Sequence, residues 1–203
     1  SASTWSRAPC AHPAPGRTLQ PPTAQANARP VRMELGWPLA GHGEEAQTGL
    51  QDRTERALVL DTNIVLDLLV FADPDTALLR QLLQTGALHW VATAPMRNEL
   101  ERVLAYAHIA PRVLFYGLST ASVLSAFDAQ VRCVPVAARV PAVVCKDADD
   151  QRFLDLAAAH GAVLLSKDRA VLALRKRLRD HGANVGTVLV AARAANTGRK
   201  LTF

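Results

Sequence analysis

Four short apolar segments of this sequence are each followed by an acidic residue, and this pattern constrains the fold more than any other feature. The segments and their acids are residues 57–60 with Asp61, 88–92 with Glu99, 131–136 with Asp150, and 162–165 with Asp168. Short apolar runs bounded by turn signals are typical of buried strands. The sequence therefore predicts strands that deliver carboxylates at or after their carboxyl ends.

Helical patterns separate these predicted strands. Leucines at 78, 79, 82 and 83 share one helix face, and Gly86 is placed to end that helix. Further helices are predicted from Pro95 to Tyr106, over 149–160 and over 169–181, and one or two over 111–129 with Ser119 as a candidate cap. A fifth strand is predicted at 185–190. Strands alternating with helices predict a three-layer α/β/α sandwich with a central, mainly parallel sheet. Sites in such sheets form at the carboxyl ends of the strands.

The chain divides near residue 56. Residues 1–56 contain seven of the twelve prolines and show no apolar periodicity. We therefore expect them to be a disordered N-terminal extension, or an artefact of an expression leader or of an over-long start assignment. Residues 57–203 are expected to form the folded domain.

Composition favours a soluble protein of the cytoplasm. No apolar run approaches the ~18–20 residues that span a bilayer, and the first residues lack the apolar core of a signal peptide. The formal net charge of +5 mildly favours a polyanionic partner, although 19 of the 23 basic residues are Arg, a bias that coding composition also produces.

The acidic residues have two interpretations. Taken singly, each is more often a helix cap, because carboxylates at helix N-termini meet free N–H groups and the positive end of the dipole. Taken together, four carboxylates at one edge of a sheet repel one another, and a fold retains them mainly when a cation lies between them. A site lined by oxygen alone suits Mg²⁺ or Mn²⁺ rather than Zn²⁺.

The four acidic segments resemble the motifs of the PIN-domain family. Residues 58–63 (LVLDTN) resemble the opening strand, and 99–104 (ELERVL) the second acidic motif. Residues 145–154 are similar to the third, with Ala148 in place of the usual proline, and 165–172 resemble the fourth, usually TGDRDLL. The similarity covers about residues 57–190 and is strongest to the VapC-like toxin components of bacterial toxin–antitoxin pairs.

This resemblance implies hydrolysis of RNA phosphodiester bonds with Mg²⁺ or Mn²⁺. Asp61, Asp150 and Asp168 would be metal ligands, and Glu99 a ligand or the base that orients water. Thr62 and Asn63 would hold the carboxylates in place. It also implies a homodimer and a small antitoxin protein that inserts an Arg or Lys among the carboxylates.

Five further residues have weaker assignments. Asp147 and Asp149 lie near the site, where the motif favours Asp150 as the ligand and Asp149 as the cap of the following helix. Arg169, Arg175 and Lys176 are candidates for contact with the RNA backbone, against the simpler interpretation of a solvated helix face.

Rival classes fail on particular residues. A nucleotide-binding fold needs glycines after the first strand, and residues 61–70 contain none. A phosphatase with an aspartyl nucleophile needs a second Asp where Asn63 stands, and a serine hydrolase needs a nucleophile elbow that is missing here. The remaining alternative is a PIN-like module that binds RNA or protein without catalysis.

Overall fold

A computed structural model describes residues 30–35 and 56–191 of the chain. Its centre is a five-stranded sheet in the order β4-β3-β2-β5-β6, in which every neighbouring pair is parallel. The strands are β2 (Arg56–Leu60), β3 (Leu88–Ala92), β4 (Arg132–Cys133), β5 (Val163–Leu165) and β6 (Asn184–Gly186). Helices flank this sheet, so the predicted α/β/α class is confirmed.

The helices follow the predicted segments closely. They are α1 (Thr62–Leu66), α2 (Ala77–Gln84), α3 (Ala94–Leu104), α4 (Ala110–Phe115), α5 (Thr120–Gln130), α6 (Gln151–His160), α7 (Arg169–Ala173) and α8 (Arg175–Arg179). The predicted cap Ser119 is confirmed, since its side chain accepts from the N–H of Ser122. The single basic helix predicted over 169–181 is instead two short helices separated at Leu174.

Burial explains why the central strands lie where they do. Leu58, Val59 and residues 163–165 are almost fully buried, as expected for parallel strands covered on both faces. Trp90 of β3 is 2% exposed and makes an edge contact with Phe127 of α5, with ring centroids 5.0 Å apart. No helix in the described ranges is long and apolar enough to cross a membrane.

The last strand differs from its prediction. The continuous strand expected over 185–190 is divided at Thr187 into β6 and β7 (Val188–Ala191). The division marks a change of partner, because β6 pairs with β5 whereas β7 pairs with a further strand, β1 (Arg32–Leu35).

Strand β1 corrects the expectation that no ordered element precedes residue 57. It pairs in parallel with β7, and Val31 accepts backbone hydrogen bonds from Thr187 and Val188 at 2.8 and 3.3 Å. A Cβ atom at Gly186 would lie 2.9 Å from Cβ of Met33, so only glycine admits this approach. The remainder of the predicted extension, and residues 192–203, lie outside the described residues.

Candidate metal centre

Strand register brings Asp61 beside the segment that ends in Asp168. Leu60 of β2 is paired with Leu165 of β5, and the N–H of Asp61 continues this ladder by donating to the carbonyl of Leu165 at 3.0 Å. Residues directly after the two strands therefore meet at one edge of the sheet. Asp61 is 3% exposed and Asp168 is 7% exposed.

Ser166 joins these two segments through its buried hydroxyl. The hydroxyl donates to Oδ2 of Asp61 at 2.6 Å and accepts from the N–H of Asp168 at 2.9 Å. Ser166 is fully buried, so it holds Asp61 in one orientation. Sequence reasoning missed this residue, although its position between β5 and Asp168 is the signal that could have identified it.

Glu99 enters the site from α3. Its Oε1 accepts from the hydroxyl of Thr62 at 3.0 Å. Nη1 of Arg152 lies 3.1 Å from Oε2 of Glu99, an ion pair without the geometry of a hydrogen bond. Arg152 was not singled out in the sequence, and it places a guanidinium against the acidic cluster.

Asp150 comes from the segment between β4 and α6, and side chains of α6 hold that segment in place. Gln151 accepts from the N–H of Cys145 and donates to the carbonyl of Val143, both at 2.8 Å. Asp155 accepts from the N–H of Val140 at 3.0 Å and from Gln151 at 2.7 Å. These contacts fix the approach of Asp150 to the edge of the sheet.

The helix-capping interpretation holds for one of the four acids. Oδ1 of Asp168 accepts from the N–H of Ala170 at 2.5 Å and caps α7. Asp61 and Asp150 precede α1 and α6 without a side-chain capping bond. The prediction that Asp149 caps α6 is wrong, because Asp150 occupies the cap position and Asp149 pairs instead with Arg152 at 3.3 Å.

Electrostatics show that the four acids form one cluster. Burial raises the pKa of Asp150 to about 8, and repulsion from Asp61, Asp168, Asp147 and Glu99 adds to the shift. Burial likewise raises the pKa of Asp61 to about 6; Glu99 and Asp168 contribute, while Ser166 and the backbone N–H of Asn63 oppose the shift. Burial also raises the pKa of Glu99, against the effect of Arg152 and Thr62.

The remaining predicted residues are two acids, Asp147 and Asp149, and three basic residues on the last helices. Asp147 and Asp149 are exposed, and the N–H of Asp149 donates to Oδ1 of Asp147 at 2.9 Å. Arg169, Arg175 and Lys176 lie on α7 and α8.

Comparison with known proteins identifies the family of this chain. The family model of the PIN domain matches residues 57–170, more than half of the chain. The chain belongs to the PIN-domain family. Among solved structures, it is similar to one described as VapBC2 from Rickettsia felis bound to a DNA fragment from their promoter, at 15% identity and a TM-score of 0.43, covering 66% of this chain and 98% of that one. No curated protein matches significantly.

PIN domains are generally nucleases that use divalent metal ions, and the donor set of this PIN domain fits such an ion. Oδ2 of Asp150 is buried and accepts no hydrogen bond from the described residues, and the buried Oε2 of Glu99 has an ion pair with Arg152 but accepts no hydrogen bond from them. Buried carboxylate oxygens without donors are costly, and a hard cation is the partner that satisfies several at once. Within ranges 30–35 and 56–191, no three His, Cys, Asp or Glu side chains are already arranged to hold an ion.

Proposed function

We propose that this PIN domain is an endoribonuclease that hydrolyses RNA phosphodiester bonds with Mg²⁺ or Mn²⁺. The observation that carries the proposal is the cluster of Asp61, Asp150, Asp168 and Glu99, whose burial and repulsion raise the pKa of Asp150 to about 8. A cluster that resists ionisation on its own is stabilised by a cation, and its hard oxygen ligands favour Mg²⁺ or Mn²⁺.

Asp61, Asp150 and Asp168 would hold the ion. A bound divalent ion supplies Lewis-acid chemistry that activates water and neutralises charge on the phosphodiester. Ser166 orients the carboxylate of Asp61 for this role through its hydrogen bond to Oδ2. The hydrogen bond from the N–H of Ala170 to Oδ1 orients the carboxylate of Asp168 in the same way.

Glu99 is assigned to orienting the attacking water. Thr62 and Arg152 hold its carboxylate from two sides, so it is positioned more firmly than a freely moving ligand. Its raised pKa makes it a stronger base than an exposed glutamate.

We also propose that the domain is the toxin of a toxin–antitoxin pair, restrained by a small protein that inserts an Arg or Lys into the cluster, and that it forms a homodimer. The similarity of residues 58–63, 99–104, 145–154 and 165–172 to the VapC-like motifs supports this. The carboxylates of the cluster would accept such a side chain, because the donors of a guanidinium match carboxylate oxygens.

The test is cleavage of RNA by the purified chain with Mg²⁺ or Mn²⁺. We expect a chelator to abolish cleavage, and Asp61→Asn and Asp150→Asn each to reduce the rate by at least about a hundredfold, since asparagine keeps the shape and removes the charge. Asp128→Asn, which removes an exposed carboxylate paired with Arg97, should cleave at the wild-type rate. Equal activity in all four proteins would reveal a contaminating nuclease and refute the assignment.

A separate test addresses the toxin assignment. Expression of the chain alone should arrest growth, and co-expression with the neighbouring small reading frame should relieve the arrest. Harmless expression with no small protein co-purifying would refute the toxin role and leave the nuclease assignment intact.

A further inference from the structure

A groove lined by three arginines lies between β1, β6 and α8. It encloses about 310 Å³, and its lining residues include Arg32, Arg175, Arg179, Glu34 and Asn184. The volume is near the lower end of the range for small-ligand sites, about 300–1,000 Å³. A groove of this size admits a phosphate with its sugar.

The three arginines come from segments far apart in the sequence. Arg32 belongs to β1, which the strand pairing with β7 fixes at this edge, whereas Arg175 and Arg179 are one helical turn apart on α8. Residues four apart on a helix present their side chains to the same side. Folding thus concentrates three positive charges that are dispersed in the sequence.

Most N–H groups of these three guanidiniums remain available to a ligand. Nη1 of Arg175 donates to the carbonyl of Leu172 at 3.1 Å, and none of the three arginines forms an ion pair within the described ranges. Glu34, the acidic residue of the lining, removes only part of the positive charge. Each arginine offers a planar set of donors that matches phosphate oxygens.

We propose that this groove binds a backbone phosphodiester of single-stranded RNA at a point separate from the acidic cluster. The proposal rests on the ribonuclease assignment for the identity of the ligand as RNA. An acidic cluster repels the backbone it must approach, so positive anchors elsewhere would keep the strand bound. Phosphate contacts of this kind position a nucleic acid without reading its sequence.

The experiment compares arginines that line the groove with an arginine of α8 that does not. The full-length chain carrying Asp61→Asn is titrated with a short single-stranded RNA, and binding is followed by fluorescence anisotropy. The substitution and a chelator in the buffer both guard against cleavage during the titration. We expect Arg179→Gln and Arg32→Gln each to weaken binding about tenfold, the value of one charged hydrogen bond. Arg177→Gln removes the same charge from α8 outside the groove lining, and we expect a change below about twofold.

Two further measurements sharpen the result. The slope of log affinity against log salt concentration should fall by about 0.7 for each groove arginine removed. Glu34→Gln should strengthen binding, because it removes the negative charge that competes for the arginines. Unfolding temperatures close to that of the parent protein would confirm that the variants remain folded.

Several outcomes would overturn the proposal. Equal losses in Arg177→Gln and Arg179→Gln would mean diffuse attraction to a basic surface. Adenosine monophosphate binding as tightly as the RNA, with the same dependence on Arg32 and Arg179, would identify the groove as a site for free nucleotides. Binding is measured without metal or cleavage, so it is independent of nuclease activity. If the groove arginines bind RNA but the wild-type protein does not cleave it, the groove proposal stands and the ribonuclease assignment fails.

Discussion

Two groups of buried carboxylates in this domain have opposite surroundings. Asp155 accepts hydrogen bonds from Val140 and Gln151, and Asp67 pairs with Nζ of Lys167 at 2.5 Å. At the edge of the sheet, Oδ2 of Asp150 is buried without a donor from the described residues, and the neighbours that shift its pKa are other acids. Within the described part of the chain, the carboxylates of the first group have donors, whereas Oδ2 of Asp150 in the second group has none.

This contrast separates the acids with a structural role from those proposed to hold a cation more clearly than sequence position does. Asp150 and Asp155 are five residues apart, at the start and in the middle of the same helix. Asp155 fastens the segment between β4 and α6, and Asp150 is the residue that this fastening presents to the cluster. Removing each carboxylate should therefore change stability in opposite directions.

The largest expected effect on stability comes from Asp155→Ala. Loss of this carboxylate leaves the N–H of Val140 and the amide of Gln151 without their acceptor, which should lower the free energy of unfolding by about 1–3 kcal/mol. In metal-free protein, Asp150→Asn should raise the free energy of unfolding, because it relieves repulsion within the cluster. Chemical denaturation in the presence of a chelator measures both, and a loss of stability in Asp150→Asn equal to that in Asp155→Ala would contradict the contrast.

The second prediction concerns pH in metal-free protein. The pKa of Asp150 is raised from 3.8 to about 8 and that of Asp61 from 3.8 to about 6, so between these limits the folded state holds more protons than the unfolded state. Stability contributed by these groups must then fall as pH rises from 3.8 toward 8. In the presence of a chelator, we expect the unfolding temperature to fall as the pH is raised from below about 6 to above about 8. Saturating Mg²⁺ should make this fall smaller. A decrease of the same size in Asp150→Asn would assign the titration to other groups.

A smaller effect is expected from Ser166→Ala. The hydroxyl that orients Asp61 would be lost, and supporting contacts of this kind are worth about 10–100-fold in metal affinity. Ser166→Thr keeps the hydroxyl and should retain most of the affinity, provided that the buried position accepts the added methyl group. Calorimetric titration with Mn²⁺ compares the two, and unchanged affinity in Ser166→Ala would show that Asp61 needs no such support.

The sequence predicted the sheet and its acids because both depend on local signals. Short buried strands such as β2 and β5 are largely apolar, and the parallel topology then brings Asp61 and Asp168 to one edge whatever the details of packing. The positions of Glu99 and Asp150 followed from the same alternation of strands and helices.

What the sequence did not reveal depends on tertiary contacts. Strand β1 lies in a region without apolar periodicity, and its place is set by the space at Gly186 and the change of partner at Thr187. The ion pair between Arg152 and Glu99 joins α6 to α3, which are far apart in the chain. Side-chain partners at such separation leave no periodic pattern to detect.

The most direct test of the central claim is Mn²⁺ binding at neutral pH, measured by calorimetry on the wild type, Asp150→Asn and the matched control Asp128→Asn. Each variant replaces one carboxylate, but only Asp150 belongs to the cluster, since Asp128 forms a partly exposed pair with Arg97. We predict that the wild type and Asp128→Asn bind Mn²⁺ tightly and that the affinity of Asp150→Asn is lower by at least about tenfold. Binding by the wild type should also release protons, because Asp150 must ionise to bind the ion. Equal affinity in all three proteins, or no binding by the wild type, would contradict the claim that these carboxylates form a metal site.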